Sequence, residues 1–331
     1  MPEIGFSIMK KPRNVFISFA LFFSYLLLPL THLAPAPGPS HHTTPEQRKK
    51  QEEEKKKAEE AKLAQLQRTD ALIAAIKARN LAQFNTLIAT IGDINAPNAK
   101  SEPPLYHAAL VGDTAIVKAL LDHRADLMNT YNHSAMHVAI DKKNMDIFNQ
   151  LVNVSGRLQG DLEYAAAKGN ARMIEILVSR GANPGLAQAG PAGTYYSNYS
   201  PLMLAVQAGN SETATALIAK GANVNQAIAV GKSTVTVLQL AAKNPNIAMV
   251  KLLLSKGVNV TESHGQTVSC LVDSVDSGNI EIAKVLLAAG ADPKASIAYG
   301  RTGQRMTPLK AAQQKGRQDF VDLFKAAGAT Q

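Results

Sequence analysis

Tryptophan is absent from the 331 residues, and aromatic residues of every kind make up only 5%. A chain so poor in large flat side chains must fill its core with alanine and leucine. That suits close-packed helices better than a β-sandwich, which draws on β-branched and aromatic residues. Cysteine occurs once, at Cys270, so no intramolecular disulfide is possible. Its neighbours in SCLVDSV are apolar, which predicts a buried packing role rather than a nucleophile. Acidic residues are outnumbered by basic ones, 26 against 35, for a formal net charge of +9. The excess is not gathered into a basic block, so no nucleic-acid partner is expected. What is plentiful is apolar residues, 46% of the chain, over a length that suits two domains or one long repeat array.

One apolar run stands out. Lys10, Lys11 and Arg13 precede VFISFALFFSYLLLPL, residues 15–30. A basic flank before such a run predicts a signal peptide or an N-terminal membrane anchor over residues 1–36. Ala34 and Ala36 are small enough for cleavage, but each is followed by proline, and Met9 is an alternative start. Either form is expected to export the remainder, to the periplasm or to a bacterial inner membrane with the domain facing the periplasm. If the segment is retained, the membrane is itself a partner.

Residues 37–68 read as a linker followed by a charged spacer. PAPGPSHHTTP, residues 35–45, is proline-rich and should be extended; its His41 and His42 are not expected to bind metal. In EQRKKQEEEKKKAEEAKLAQLQ, residues 46–67, Glu52 and Lys56, and Glu53 and Lys57, stand four apart in the order that supports a helix. No apolar heptad is sustained, so a coiled coil is not predicted.

From Pro103 onward one pattern returns seven times. Its copies begin at Pro103, Ser134, Gly160, Ser200, Thr236, Ser269 and Thr307, with spacings of 31, 26, 40, 36, 33 and 38 residues. In SPLMLAVQAGN, residues 200–210, the serine can cap a helix and the proline fits its first turn, where a missing N–H costs nothing. Leu202 and Ala205 point inward, and Gly209 ends the short helix. A second helix follows, with apolar residues three and four apart, as in Val250, Leu253 and Leu254. It too ends on glycine: Gly181, Gly221, Gly257 or Gly290. Residues 69–90 form one more helix pair without the Ser/Thr-Pro start.

A period near 33 residues with these features resembles the ankyrin repeat. The resemblance implies an all-α solenoid of stacked helix-turn-helix units with hairpin loops, over residues 69–331. It comprises an N-terminal cap at 69–95 and about seven repeats at 101–329. Ahead of it are expected an N-terminal hydrophobic helix and the charged helical spacer. No unit can bury its apolar face alone, so stacking must supply a continuous core. Departures mark weak places. The second unit has Ala135 for proline and Lys143 for glycine, the fifth has Pro245 for glycine, and the loop before the third is short. Hydrogen exchange is expected to be fastest around residues 150–162.

Candidate chemistry is thin. VGKST, residues 230–234, lacks the glycine of a phosphate loop, since position 226 is Gln. His133 and His137 are four apart, but His133 precedes the capping Ser134 and no third ligand is apparent. Asp273 and Asp276 are explained by solvation. Asn132, Asn153, Asn198 and Asn259 fall in glycosylation sequons, for which chance is the default reading unless the source is eukaryotic. No enzyme, metal or cofactor is expected.

Binding is expected at a concave face lined by loop tips and the exposed side of each first helix. Lys142, Lys168, Gln207, Lys243 and Gln314 occupy that side. Two long loops extend it: residues 187–200, with Tyr195, Tyr196, Asn198 and Tyr199, and residues 297–306, with Tyr299, Arg301 and Arg305. Tyrosine buries much area at little entropic cost. The expected function is a monomeric, non-catalytic protein-binding scaffold outside the cytoplasm. The alternatives are a secreted effector or immunity-type protein aimed at a host or rival protein, and an electrostatic binder of anionic lipid or nucleic acid.

Overall fold

The computed structural model describes residues 44–127, 134–186, 198–230, 233–260, 270–299 and 304–329. Two compact units are present, Met1–Lys55 and Lys56–Gln331. The first is described only from Thr44, where helix α1 (Pro45–Lys77) begins, exposed throughout this part. The second holds the repeats.

Within the second unit α1 changes character. Up to Gln67 its residues are exposed or half-buried; from Thr69 onward Thr69, Leu72, Ile73, Ala75 and Ile76 are buried. Of these, Leu72, Ala75 and Ile76 belong to the same core cluster as Phe84 and Ile88 of α2 (Leu81–Ile88). Seven further pairs follow among the described residues: α3 (Pro104–Val111) with α4 (Thr114–Asp122), α5 (Ala135–Asp141) with α6 (Met145–Val152), α7 (Leu158–Lys168) with α8 (Ala171–Ser179), and α9 (Pro201–Gln207) with α10 (Ser211–Ala219). After strands β1 (Ala227–Val230) and β2 (Ser233–Thr236) come α11 (Val237–Lys243) with α12 (Ile247–Ser255), then α13 (Cys270–Ser277) with α14 (Ile280–Ala288). Strands β3 (Ile297–Tyr299) and β4 (Gln304–Met306) lead to α15 (Pro308–Gln314) and α16 (Gln318–Ala326).

The helix starts follow the local chemistry. Ser200, Ser134 and Thr307 each accept a hydrogen bond from the backbone N–H three residues on, that of Met203, His137 and Lys310. Thr236 and Gln239 complete a reciprocal capping box. The third repeat differs. Its first helix, α7, begins at Leu158, ahead of the expected Gly160, and Arg157 before it gives no side-chain cap. Buried Asp161 is held there by the Ser155 hydroxyl, which donates to it at 2.6 Å.

Successive first helices pack on one another, and so do successive second helices. Their facing apolar residues form one cluster running from Leu72 to Phe324, with Leu120, Leu151, Leu177, Leu217, Leu253 and Leu286 at 0% exposure. Each leucine removed from water contributes about 1.5–3 kcal/mol, and each is covered partly by the next unit, so the stack is stable only as a stack.

Polar bonds also cross the seams. The last carbonyls of a helix lack intrahelical partners. Side chains at the start of the following repeat's second helix reach back to one such carbonyl, that of Ala167, and to three in the turns just past α9, α11 and α13. Asn210 Nδ2 donates to the Ala167 carbonyl, Asn246 to Gly209, Asn279 to Pro245, and Arg317 Nη2 to Gly278, at 3.0–3.3 Å. At Pro245, where the repeat pattern calls for glycine, Asn244 turns extended instead and donates to the Gln207 carbonyl at 3.2 Å.

The fold is therefore the expected all-α solenoid, with two small antiparallel hairpins, β1–β2 and β3–β4, in the loops before α11 and α15. No helix among the described residues is long and apolar enough to cross a membrane. The expected transmembrane helix, on which the membrane partner and the inner-membrane, periplasm-facing location were built, is thus not found among them. The apolar segment at residues 15–30, like His41 and His42, lies outside the described residues.

Candidate binding surface

Consecutive first helices lie side by side, and ion pairs join them. Lys168 Nζ on α7 is 3.0 Å from Asp141 Oδ1 on α5. Lys243 Nζ on α11 is 3.4 Å from Asp273 Oδ1 on α13, and Lys315 Nζ is 2.6 Å from Asp276 Oδ1. The expected binding residues Lys168 and Lys243 are thus exposed but tied to a neighbouring repeat. An exposed pair such as Lys168–Asp141 contributes about 0–1 kcal/mol, so its larger effect is to cancel surface charge along the row. Lys142, the C-terminal cap of α5, is exposed, and Gln207 is half-buried at the end of α9.

Between α5 and α7 the row carries an aromatic cluster absent from the expectations. The rings of His137 and Tyr164 stack with centroids 3.8 Å apart and planes within 5°. The Tyr164 hydroxyl donates to Asp141 Oδ2 at 2.8 Å, and Lys168 Nζ lies 5.1 Å from the Tyr164 ring centroid. Burial holds the His137 imidazole down at about 4, against the upward pull of Asp141. Burial, then the hydrogen bond to Asp141, pushes the Tyr164 phenol up, while that same carboxylate raises the Lys168 ammonium. A neutral imidazole against a neutral phenol is a firm, half-exposed aromatic step. The sequence carries its signal as two i,i+4 pairs, His137 with Asp141 and Tyr164 with Lys168, one per repeat.

The extended loops are described in part. Asn198 is exposed, but Tyr199 is buried at 4% and belongs to the core, which corrects its expected place on a binding finger. It directly precedes the capping Ser200, where an apolar residue folds back on the helix it introduces. Tyr195, Tyr196 and Arg301 lie outside the described residues. Tyr299 pairs with Gln304 in the β3–β4 hairpin, and Arg305 donates through Nε and Nη2 to Ser296 Oγ at 2.9 and 2.7 Å, which holds it along the hairpin.

The weaker chemical candidates resolve simply. His137 stacks on tyrosine, His133 is outside the described residues, and among those residues no group of three His, Cys, Asp or Glu could hold a metal. Val230 and Ser233 face each other across a hairpin, not in a loop between a strand and a helix. Cys270 is buried, and burial pushes its thiol far up. Asp273 is not solvated as expected. It is buried at 5%, because α13 turns it toward the seam with α11.

Comparison with known proteins agrees with this architecture. A family model for ankyrin repeats, in three copies, matches residues 71–158, 162–228 and 227–297. A Rickettsia felis protein named as an ankyrin repeat protein is 25% identical over 252 residues, 64% of this chain and 62% of that protein. Zygote-specific protein 3 of Chlamydomonas reinhardtii is 29% identical over 117 residues, 35% of this chain and 25% of that one. The chain thus spans less than two thirds of either relative. The crystal structure of the human ASB11 ankyrin repeat domain superposes with a TM-score of 0.54 at 22% identity, covering 67% of this chain and 98% of that domain.

Proposed function

Since the chain belongs to the ankyrin-repeat family, whose domains are non-catalytic scaffolds, we propose that it binds a protein partner along the row of first-helix ends and the two extended loops. The observation that carries the reading is the register of that row. Lys142, the His137–Tyr164 step, Gln207 and the last turns of α11 and α15 are held on packed helices whose seams are closed by hydrogen bonds. A surface ordered in advance loses little entropy on binding. The loop residues Tyr195, Tyr196, Asn198, Tyr299, Arg301 and Arg305 extend it. Tyr199 is left out because it is buried. Compensation of Lys168, Lys243 and Lys315 by carboxylates favours a partner read by shape and hydrogen bonding over an anionic lipid or nucleic acid.

Photo-crosslinking amino acids placed at Lys142 and Gln314 in the full chain are expected to capture the partner. The same probes at Glu175 and Lys251, exposed on second helices, are not. Joint replacement of Tyr195 and Tyr196 by alanine should weaken capture. Crosslinks formed only from the second helices would place the interface elsewhere.

A further inference from the structure

We propose that Asp273 is a protonation switch at the seam between α11 and α13: its carboxylate is a counter-charge to the Lys243 ammonium, and its protonated form withdraws that counter-charge from the first-helix face. The three inter-repeat ion pairs described on this face are not equivalent. Asp141 and Asp276 have side chains 43% and 23% exposed, and their lysines sit at 3.0 and 2.6 Å. The Asp273 side chain is 6% exposed while Lys243 is 53% exposed, and they stand 3.4 Å apart. That is longer than a charge-assisted hydrogen bond between an ammonium and a carboxylate. The second oxygen, Oδ2, is buried without a hydrogen-bond partner. A carboxylate in this position keeps one side of its charge unsatisfied, which burial makes costly.

No neighbour removes that cost. The elements packed on α13 are α11, α14 and α15. Lys243 is the charged group of α11 that reaches Asp273; a side-chain hydrogen bond from Gln239 on the same helix adds to its hold. On α14, Glu281 and Lys284 pair with each other at 2.7 Å. On α15, Lys310 is half-buried near the start of the helix, and Lys315, which caps its end, is committed to Asp276. On α13 itself, Asp276 adds repulsion, and the Cys270 thiol is kept neutral by burial. Burial therefore outweighs Lys243 and pushes the Asp273 carboxyl up to about 6. A proton taken from solvent onto Asp273 removes the buried charge and leaves a neutral acid beside Gln239. Lys243, already half in water, then loses the Asp273 counter-charge. The device adds one positive charge to the net charge of the face on mild acidification and requires no partner to operate.

The test is a carboxyl-carbon NMR titration of the full chain, with the Lys243 Cε and Nζ signals followed in parallel. Asp273 is expected to titrate near pH 6, well above Asp319, whose carboxyl the Arg317 guanidinium holds low. The Lys243 signals should move with the same midpoint. Asp273→Asn should abolish the Lys243 transition. Lys243→Met, at an exposed position, should leave the fold intact and raise the Asp273 midpoint further. Titration of Asp273 within the range of exposed aspartates, or Lys243 signals unmoved between about pH 5 and 7, would overturn the proposal.

Discussion

Asn210 lies against Gly169 across the seam between the third and fourth repeats. A Cβ built on Gly169 would stand 2.6 Å from Asn210 Cγ, and the Asn210 amide donates to the nearby Ala167 carbonyl at 3.3 Å. Gly169 also has φ +79°, in the left-handed region. The glycine serves two ends: it turns the chain out of α7, and it leaves room for the cap of the next repeat.

Gly169→Ala should therefore destabilise by about 2–3 kcal/mol, combining left-handed backbone strain with displacement of Asn210. Urea unfolding measures it. A loss under about 0.5 kcal/mol would mean the seam yields without cost.

Asn246 acts in both directions, accepting from the Met249 N–H at 3.3 Å and donating to the Gly209 carbonyl at 3.1 Å. Asn246→Ala should cost about 1–2 kcal/mol. Asn246→Asp keeps the acceptor and loses the donor, so it should cost less. Equal losses in the two variants would show that the seam bond, not the cap, carries the stability.

Lys143 occupies the position that glycine holds in other repeats, and it adopts φ +52°. Lys143→Gly relieves strain at an exposed site and should stabilise by about 0.5–1 kcal/mol, after allowing for the greater freedom of glycine in the unfolded chain. A lower melting temperature for this variant would contradict the strain.

Two groups should shape the pH dependence of stability in opposite senses. The His137 imidazole falls from 6.5 unfolded to about 4 folded, so its contribution is complete above 6.5 and is lost as pH falls toward 4. The Asp273 carboxyl rises from 3.8 to about 6, so its folded form takes up protons first and stability is gained as pH falls through the same window. Each effect is on the order of 1–3 kcal/mol, and they partly cancel. Asp273→Asn should expose a steeper acid loss than the wild type shows, and His137→Phe a shallower one. Identical profiles for all three proteins would refute both assignments.

The connection between the second and third repeats is short and lacks the hairpin seen before α11 and α15. Val154 there is 57% exposed, and α7 begins without a side-chain cap. Amide exchange is expected to be faster over residues 150–162 than at the Asn246–Gly209 seam, measured by mass spectrometry. Protection as strong as at that seam would contradict it.

Much of this fold is legible in the order of residues alone. The starts of α5, α9, α11 and α15 follow from Ser134, Ser200, Thr236 and Thr307, whose hydroxyls meet backbone N–H groups three residues away. The early start of α7 is not legible in this way, because no capping residue marks Arg157. The binding row can be read as positions but not as charges. Lys168 and Lys243 read as solvated cations until the neighbouring repeat brings Asp141 and Asp273 beside them.

By itself, then, the sequence determined the repeat, most of its helix boundaries and the need for stacking. Those depend on caps, glycines and apolar spacing within a few residues of one another. The tertiary structure alone decided that Tyr199 and Asp273 are buried and that His137 stacks on Tyr164. Burial and partnership are set by what the adjacent repeat lays over a residue, and no local pattern specifies that.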